Sequence, residues 1–203
     1  MEYYELHPKT PQLKYINKAV EVLMQGGVII YPTDTVYGIG CDIYNKEALE
    51  RVFQIKNDIE SKLFSFICPN LKNIAKYAKV SDYAYRNMKH LLPGPYTFIL
   101  PATKLTPKIL YSKRKTVGIR IPNHQVCLKI VEEFGGPIIS TSTTSRKGEI
   151  LIDPIEIKNV FSTQVDLMLA SGNLNGRPSS VIDLSEEKPE VIREGAGDVS
   201  LFV

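Results

Sequence analysis

The sequence predicts an α/β domain with an α+β-like tail, built on a twisted, open mixed sheet flanked by helices. Three observations carry this. Short β-branched runs bounded by Pro and Gly alternate with stretches whose apolar residues recur at helical spacing. The last third of the chain is denser in strands than in helices. Finally, 203 residues, 43% of them hydrophobic, show no internal repeat, low-complexity tail or linker, so one domain spanning 1–203 with a full core is the simplest organisation.

The elements follow in order. Thr10-Pro11 reads as an N-cap followed by proline in the first helical turn; Leu13, Ile16, Val20 and Leu23 carry the spacing, and Gly26-Gly27 ends it. Val28–Tyr31 is a buried-type strand. Asn45 caps a helix over Lys46–Ile55, and Phe64–Cys68 is the next strand. Helices are expected at about 71–78 and 82–91, the second capped by Ser81. Pro93-Gly94-Pro95 breaks the chain before a strand at Tyr96–Leu100. Thr116–Ile121 is a strand ending at Pro122; Asn123 caps a helix that runs to Phe134 and stops at Gly135-Gly136-Pro137. A strand begins at Pro137–Ser140 and leads into Thr141–Gly148, a polar loop expected over a site. Asp153-Pro154 opens a short helix, and Val165–Ala170, Ser180–Leu184 and Val191–Arg193 are the closing strands.

Charge excludes little. Twenty-five Lys and Arg against 22 Asp and Glu leave +3, which suits anionic ligands such as nucleotides or RNA and equally suits a merely soluble surface. Cys41, Cys68 and Cys127 are far apart, form no CxxC and sit in or beside apolar segments, so they read as small buried hydrophobes. His7, His90 and His124 make no metal-ligand pattern, and no metal site is expected. The N-terminus lacks a basic-then-apolar leader, and no apolar run approaches the roughly 18 residues of a membrane span. A cytoplasmic protein with no membrane partner is the default expectation.

Three familiar catalytic loops are missing: GxxxxGK followed by Ser or Thr, GxGxxG, and GxSxG. The most informative stretch is Tyr31-Pro-Thr-Asp-Thr-Val-Tyr-Gly-Ile-Gly-Cys41, where a strand opens into a hydroxyl and carboxylate cluster and crosses two close glycines. Basic and hydroxyl residues stand at other element ends: Lys56, Lys62, Arg120, Ser140, Ser142, Thr144, Ser179-Ser180 and Arg193. On an open sheet they line one basic concavity that binds phosphate or carboxylate. Each also has a plainer reading. Thr33–Thr35 is a turn bonding its own backbone, Lys56 and Lys62 are solvated charges, Arg120 is half of a structural ion pair, and Gly38 and Gly40 serve tight packing.

Taken together the chain resembles the YrdC/YciO family, over nearly its whole length and closest to the single-domain YciO branch. The landmarks are Tyr31–Gly40, Pro93-Gly-Pro-Tyr-Thr97, Val117-Gly-Ile-Arg-Ile-Pro122, Pro137-Ile-Ile-Ser-Thr-Ser142, Ser179-Ser-Val-Ile-Asp183 and Ile192-Arg-Glu-Gly195. The resemblance implies L-threonylcarbamoyladenylate synthesis: L-threonine, bicarbonate and ATP, with Mg²⁺ arriving on the ATP, give threonylcarbamoyl-AMP and pyrophosphate for tRNA modification. It implies that Thr35, Arg120, Ser140 and Ser180 contact threonine. It places Lys56, Lys62, Thr116, Ser142, Thr144 and Arg193 on the nucleotide, with Lys56, Lys62 and Arg120 supplying catalytic charge. The chain departs from the family pattern at Asp58, where an arginine is usual, at Thr144, where an amide is usual, and at Ile67, near the place of a usual histidine. Two other readings stand beside the enzyme: a double-stranded RNA- or tRNA-binding translation factor without catalysis, and a small-molecule sensor without turnover.

Overall fold

The computed structural model describes residues 1–56, 64–110, 114–145 and 147–202. Among them ten strands form one twisted sheet. They are β1 (Glu2–Glu5), β2 (Ile29–Tyr31), β3 (Gly38–Asp42), β4 (Ser65–Ile67), β5 (Tyr96–Pro101), β6 (Thr116–Arg120), β7 (Ile138–Ser142), β8 (Leu167–Ala170), β9 (Ser180–Asp183) and β10 (Glu190–Arg193). Their order across the sheet is β1-β8-β2-β3-β7-β4-β6-β5-β9-β10. Parallel and antiparallel pairings mix: β8 runs parallel to β1 and β2, and β4 parallel to β6, whereas β3 and β7 are antiparallel to both their neighbours. Among the described residues six α-helices flank the sheet: α1 (Leu13–Met24), α2 (Lys46–Lys56), α3 (Leu71–Tyr77), α4 (Asp82–Leu91), α5 (Gln125–Phe134) and α6 (Pro154–Phe161).

The two sheet faces bury different residues. Ile29, Tyr31, Ile67, Ile138, Leu167 and Leu169 pack with α1 and α5 through Ile16, Leu23, Cys127 and Ile130. The opposite face, with Ile30, Ile39, Phe66, Phe98, Ile119 and Ile139, packs against α2, α3, α4 and α6. Neighbouring residues of one strand therefore join different cores, as the two-residue period of a strand requires. Cys41, Cys68 and Cys127 are free and buried, and burial raises all three thiols, Cys68 to about 12.

Most expected caps are present. Asn45 Oδ1 accepts from Ala48 N–H at 2.9 Å, Ser81 Oγ from Ala84 N–H at 3.2 Å, and Asp153 Oδ1 from Ile155 N–H at 2.8 Å. Two expected caps are corrected. Helix α1 begins after Gln12, because the Thr10 hydroxyl is occupied with His7 Nδ1 at 2.9 Å. Helix α5 begins after His124, and Asn123 N–H instead meets Asp34 Oδ2 at 3.0 Å.

Two strands escape the sequence reading. β1 is an edge strand whose strand partner among the described residues is β8. β3 carries two glycines, which have low strand propensity, yet it is paired on both sides. Its glycines are steric necessities. A Cβ at Gly40 would stand 2.3 Å from the Ile139 carbonyl oxygen, and one at Gly38 would stand 2.9 Å from Ser140 Oγ and 3.1 Å from the Tyr31 ring. The loop expected at Thr141–Gly148 is also corrected. Thr141 and Ser142 end β7, and a Thr144–Ile150 bridge folds the rest back as a hairpin.

Candidate active site

Helices α1 and α5 cover only part of their sheet face. Beyond them, register aligns small residues: Gly40 opposite Ser140, Ser140 opposite Ser65, and Ser65 opposite Gly118. With little side chain along that row, the sheet surface sinks into a pocket of about 440 Å³. A Cβ at Gly118 would meet the Phe64 carbonyl oxygen at 3.2 Å and Thr97 Cγ2 at 3.3 Å, so even the smallest side chain crowds this floor.

Seven of the ten expected site residues line this one pocket: Lys56, Thr116, Arg120, Ser140, Ser142, Thr144 and Arg193. They come from α2, β6, β7, the hairpin and β10. Arg120 is nearly enclosed, its side chain 8% exposed, and pairs with Asp34. Its Nη2 also donates to Thr35 Oγ1 at 2.7 Å, while its Nε has no hydrogen-bond partner among the described residues. The segment 32–37, which joins β2 to β3, thus reaches Arg120 of β6 past β7 and β4. Thr33 has the turn role: its hydroxyl donates to Val36 O at 2.6 Å and accepts from Thr35 N–H at 3.2 Å. Thr35 itself is fully buried and touches the site through Arg120. Asp34 ties this group to the start of α5 through Asn123.

Arg193 stands at the other end. Its Nε and Nη2 donate to Ser179 O at 3.1 and 2.8 Å, and Ser179 Oγ lies 2.8 Å from Thr97 Oγ1. Among the described residues no carboxylate pairs with it. Burial lowers its pKa, and the like charge of Arg120 lowers it further. Lys56 Nζ donates to Thr144 Oγ1 at 2.8 Å and to Ser142 O at 3.2 Å. Thr144, in the place of a usual amide, therefore holds a cation rather than facing the pocket alone.

Besides Thr35, one described residue of the expected set stays off the pocket wall. Ser180 is fully buried off the pocket, its Oγ donating to Gly197 O at 2.6 Å and accepting from Gly195 N–H at 2.9 Å. Gly195 fits only because it lacks a Cβ, which would fall 2.3 Å from the Pro178 carbonyl oxygen. Ser179, one residue earlier, lines the pocket instead, as do Thr97 and Ser65. Lys62, together with Asp58, lies outside the described residues. Ile67, near the place of a usual histidine, is buried under α1 and α5.

Comparison with known proteins agrees with this architecture. The profile of the Sua5/YciO/YrdC family, described as telomere recombination, matches residues 21–195. The chain is 42% identical to YciO of Escherichia coli K12, covering 100% of this chain and 99% of that one. The crystal structure of E. coli YciO superposes with a TM-score of 0.96 over the whole of both chains. The threonylcarbamoyl-AMP synthase of Pseudoalteromonas translucida is 33% identical, covering 85% of this chain and 95% of the synthase. Sua5 of P. abyssi, solved with L-threonine, shares the fold at a TM-score of 0.90 and 24% identity, covering 96% of this chain and 58% of Sua5. With the family profile matched over residues 21–195 and 42% identity to a relative along the whole chain, the protein belongs to the Sua5/YciO/YrdC family.

Proposed function

We propose that the protein joins L-threonine, bicarbonate and ATP into threonylcarbamoyl-AMP and pyrophosphate. The observation that carries this reading is the convergence of Lys56, Arg120 and Arg193 on one nucleotide-sized pocket, with Arg193 lacking any carboxylate partner among the described residues. Relatives at 31–35% identity named as threonylcarbamoyl-AMP synthases support the choice of substrates.

In this reading the threonine amine condenses with bicarbonate, losing water, to give a carbamate. Arg120, steadied by Thr35 and Asp34, holds the threonine carboxylate, with Ser140 beside it. A carbamate oxygen attacks the α-phosphorus of ATP, the bond from that phosphorus to the bridging oxygen breaks, and pyrophosphate leaves with the electron pair. Both partners are anions, so the protein contributes fixed positive charge and alignment and needs no nucleophile of its own. Arg193 and Lys56 face the phosphates, with Thr116, Ser142 and Thr144 as hydrogen-bonding partners. Lys62 is assigned the same task from outside the described residues. No carboxylate lines the pocket among the described residues. That donor set suits phosphate and not a resident cation, and Mg²⁺ enters as the counterion of ATP.

The purified protein with Mg-ATP, bicarbonate and threonine is expected to release pyrophosphate in a threonine-dependent manner. Arg120→Ala and Arg193→Ala should each lower that rate at least about 100-fold, the loss of a charged contact made at the reacting phosphates. Threonine-dependent release no greater in the natural protein than in Arg120→Ala would refute the activity.

A further inference from the structure

Tyr31 and the two glycines of β3 form one structural unit. Tyr31 of β2 lies opposite Gly38, and Gly40 lies opposite Ser140 of β7, so the tyrosine, both glycines and the serine share the sheet face that carries the pocket. β3 stands between β2 and β7, which leaves two sheet spacings, roughly 9.5 Å, from the tyrosine's strand to the serine's. The Tyr31 ring crosses much of that gap by lying over the glycines. A Cβ at Gly38 would stand 3.1 Å from its Cζ, and one at Gly40 would stand 3.2 Å from its hydroxyl oxygen. The same Gly38 position is 2.9 Å from Ser140 Oγ, so the head of the ring and the serine hydroxyl are neighbours.

The Tyr31 hydroxyl is wholly enclosed and makes no hydrogen bond of good geometry among the described residues. An enclosed phenol without an acceptor is costly, so the groups around it decide its role. Arg120 is near but has no acceptor, and the thiols of Cys41 and Cys127 are weak ones. Ser140 Oγ is the oxygen that bears on it. Burial lifts the phenol pKa well above its ordinary value, so the group stays protonated and acts as a donor. Ser140 in turn lines the pocket. A serine hydroxyl has one proton and two lone pairs. With a lone pair taken by Tyr31 from the covered side, the serine's own proton is directed into the pocket.

We propose that Tyr31 is a positioning residue for the bound amino acid: its phenol donates to Ser140 Oγ over the side-chain-free width of β3, and Ser140 presents its proton to the ligand carboxylate beside Arg120. The inference rests on the threonine reading of this pocket and adds to it a group that no ligand touches. Binding completes a chain from phenol to serine to carboxylate, in which each hydrogen bond polarises and strengthens the next. In the free protein the phenol is poorly served, and it gains its full bond when the ligand turns Ser140. Tyr31 therefore contributes its hydroxyl to affinity and not to stability, the reverse of an ordinary core tyrosine.

Tyr31→Phe removes one oxygen and keeps the ring, so it tests the hydroxyl without opening a cavity. Its melting temperature should match that of the natural protein or exceed it by up to about 4 °C, because an ill-paired buried hydroxyl is lost. L-Threonine binding in calorimetric titration should weaken about fivefold, the loss of one hydrogen bond, while ATP affinity stays within about twofold. In a Ser140→Ala background Tyr31→Phe should cost no further threonine affinity, since the two residues act as one unit. The proposal is overturned by unchanged threonine affinity, by the same fivefold loss in the Ser140→Ala background, or by a lower melting temperature with equal losses for threonine and ATP. If the natural protein binds threonine with this coupling yet releases no pyrophosphate, the coupling stands and the adenylation reading falls. If it releases pyrophosphate while Tyr31→Phe binds threonine equally well, the coupling falls and the adenylation reading stands. No threonine binding by the natural protein would overturn both.

Discussion

Two guanidinium groups in one pocket differ by a single carboxylate. Arg120 is neutralised by Asp34 and bonded by Thr35; among the described residues Arg193 is bonded only by the carbonyl and hydroxyl of Ser179. A partly buried cation without a counter-charge is costly, and a bound anion relieves that cost. Lys56 Nζ donates to the Thr144 hydroxyl and to the Ser142 carbonyl, and Thr144 is the side chain a substitution can test. Thr144→Val keeps the shape and removes the acceptor 2.8 Å from Lys56 Nζ. Losing one charge-assisted hydrogen bond of about 1 kcal/mol predicts roughly fivefold weaker ATP binding in calorimetric titration, with the melting temperature little changed. An unchanged affinity would show that Thr144 does not set the position of Lys56. At this scale the sequence names residue types well and orientation poorly. In Ser179-Ser180-Val181-Ile182 two serines precede two apolar residues, so alternation alone does not say which serine faces the pocket.

Strands resolve that ambiguity by pairing. β9 lies parallel to β5, with Tyr96 opposite Ser180 and Phe98 opposite Ile182, and these side chains share the core face. Ser180 therefore points inward, where it fastens the 195–197 segment and through it the end of β10 that carries Arg193. Ser180→Ala would leave a buried carbonyl and N–H unpaired, a loss of about 2 kcal/mol, or roughly 4–8 °C in melting temperature for a chain of this size. If the variant melts like the natural protein yet binds threonine more weakly, Ser180 contacts ligand after all. β3 makes the same point for backbone. Its glycines look like a loop in sequence, and only the approach of Ile139 and the Tyr31 ring explains why a strand must lack side chains there.

For the whole molecule, the partial cover of one sheet face creates the pocket, and a few long-range ties hold the frame. Asp166 is one. Its carboxylate accepts two hydrogen bonds from Arg51 of α2, at 2.8 and 3.1 Å, and one from Val28 N–H at 2.7 Å, just ahead of β2. Burial would raise its pKa, but the Arg51 and Val28 contacts outweigh burial and hold it below the usual carboxylate value. Because the folded pKa lies below the unfolded one of about 3.9, the tie stabilises the fold above that pH and fades as pH falls through the folded value. Asp166→Asn should therefore lower the melting temperature most above about pH 5, with the gap to the natural protein closing toward about pH 3. A gap that stays constant over that range would assign the loss to geometry and not to charge.

Periodicity, β-branched runs, glycine and proline punctuation and capping residues, all local, determined the α/β class, the six described α-helices and eight of the ten described strands, while basic and hydroxyl residues at element ends, read together with the family resemblance, named seven residues that share the pocket. Tertiary structure alone decided what depends on distant neighbours. It made strands of Glu2–Glu5 and Gly38–Asp42, turned Ser180 inward and Ser179 to the pocket, gave Arg120 a carboxylate and, among the described residues, left Arg193 without one, and brought five lysines from separate segments into one groove. Local pattern fixes which face of an element is apolar; register and strand order, set by packing across the sheet, fix which polar groups meet.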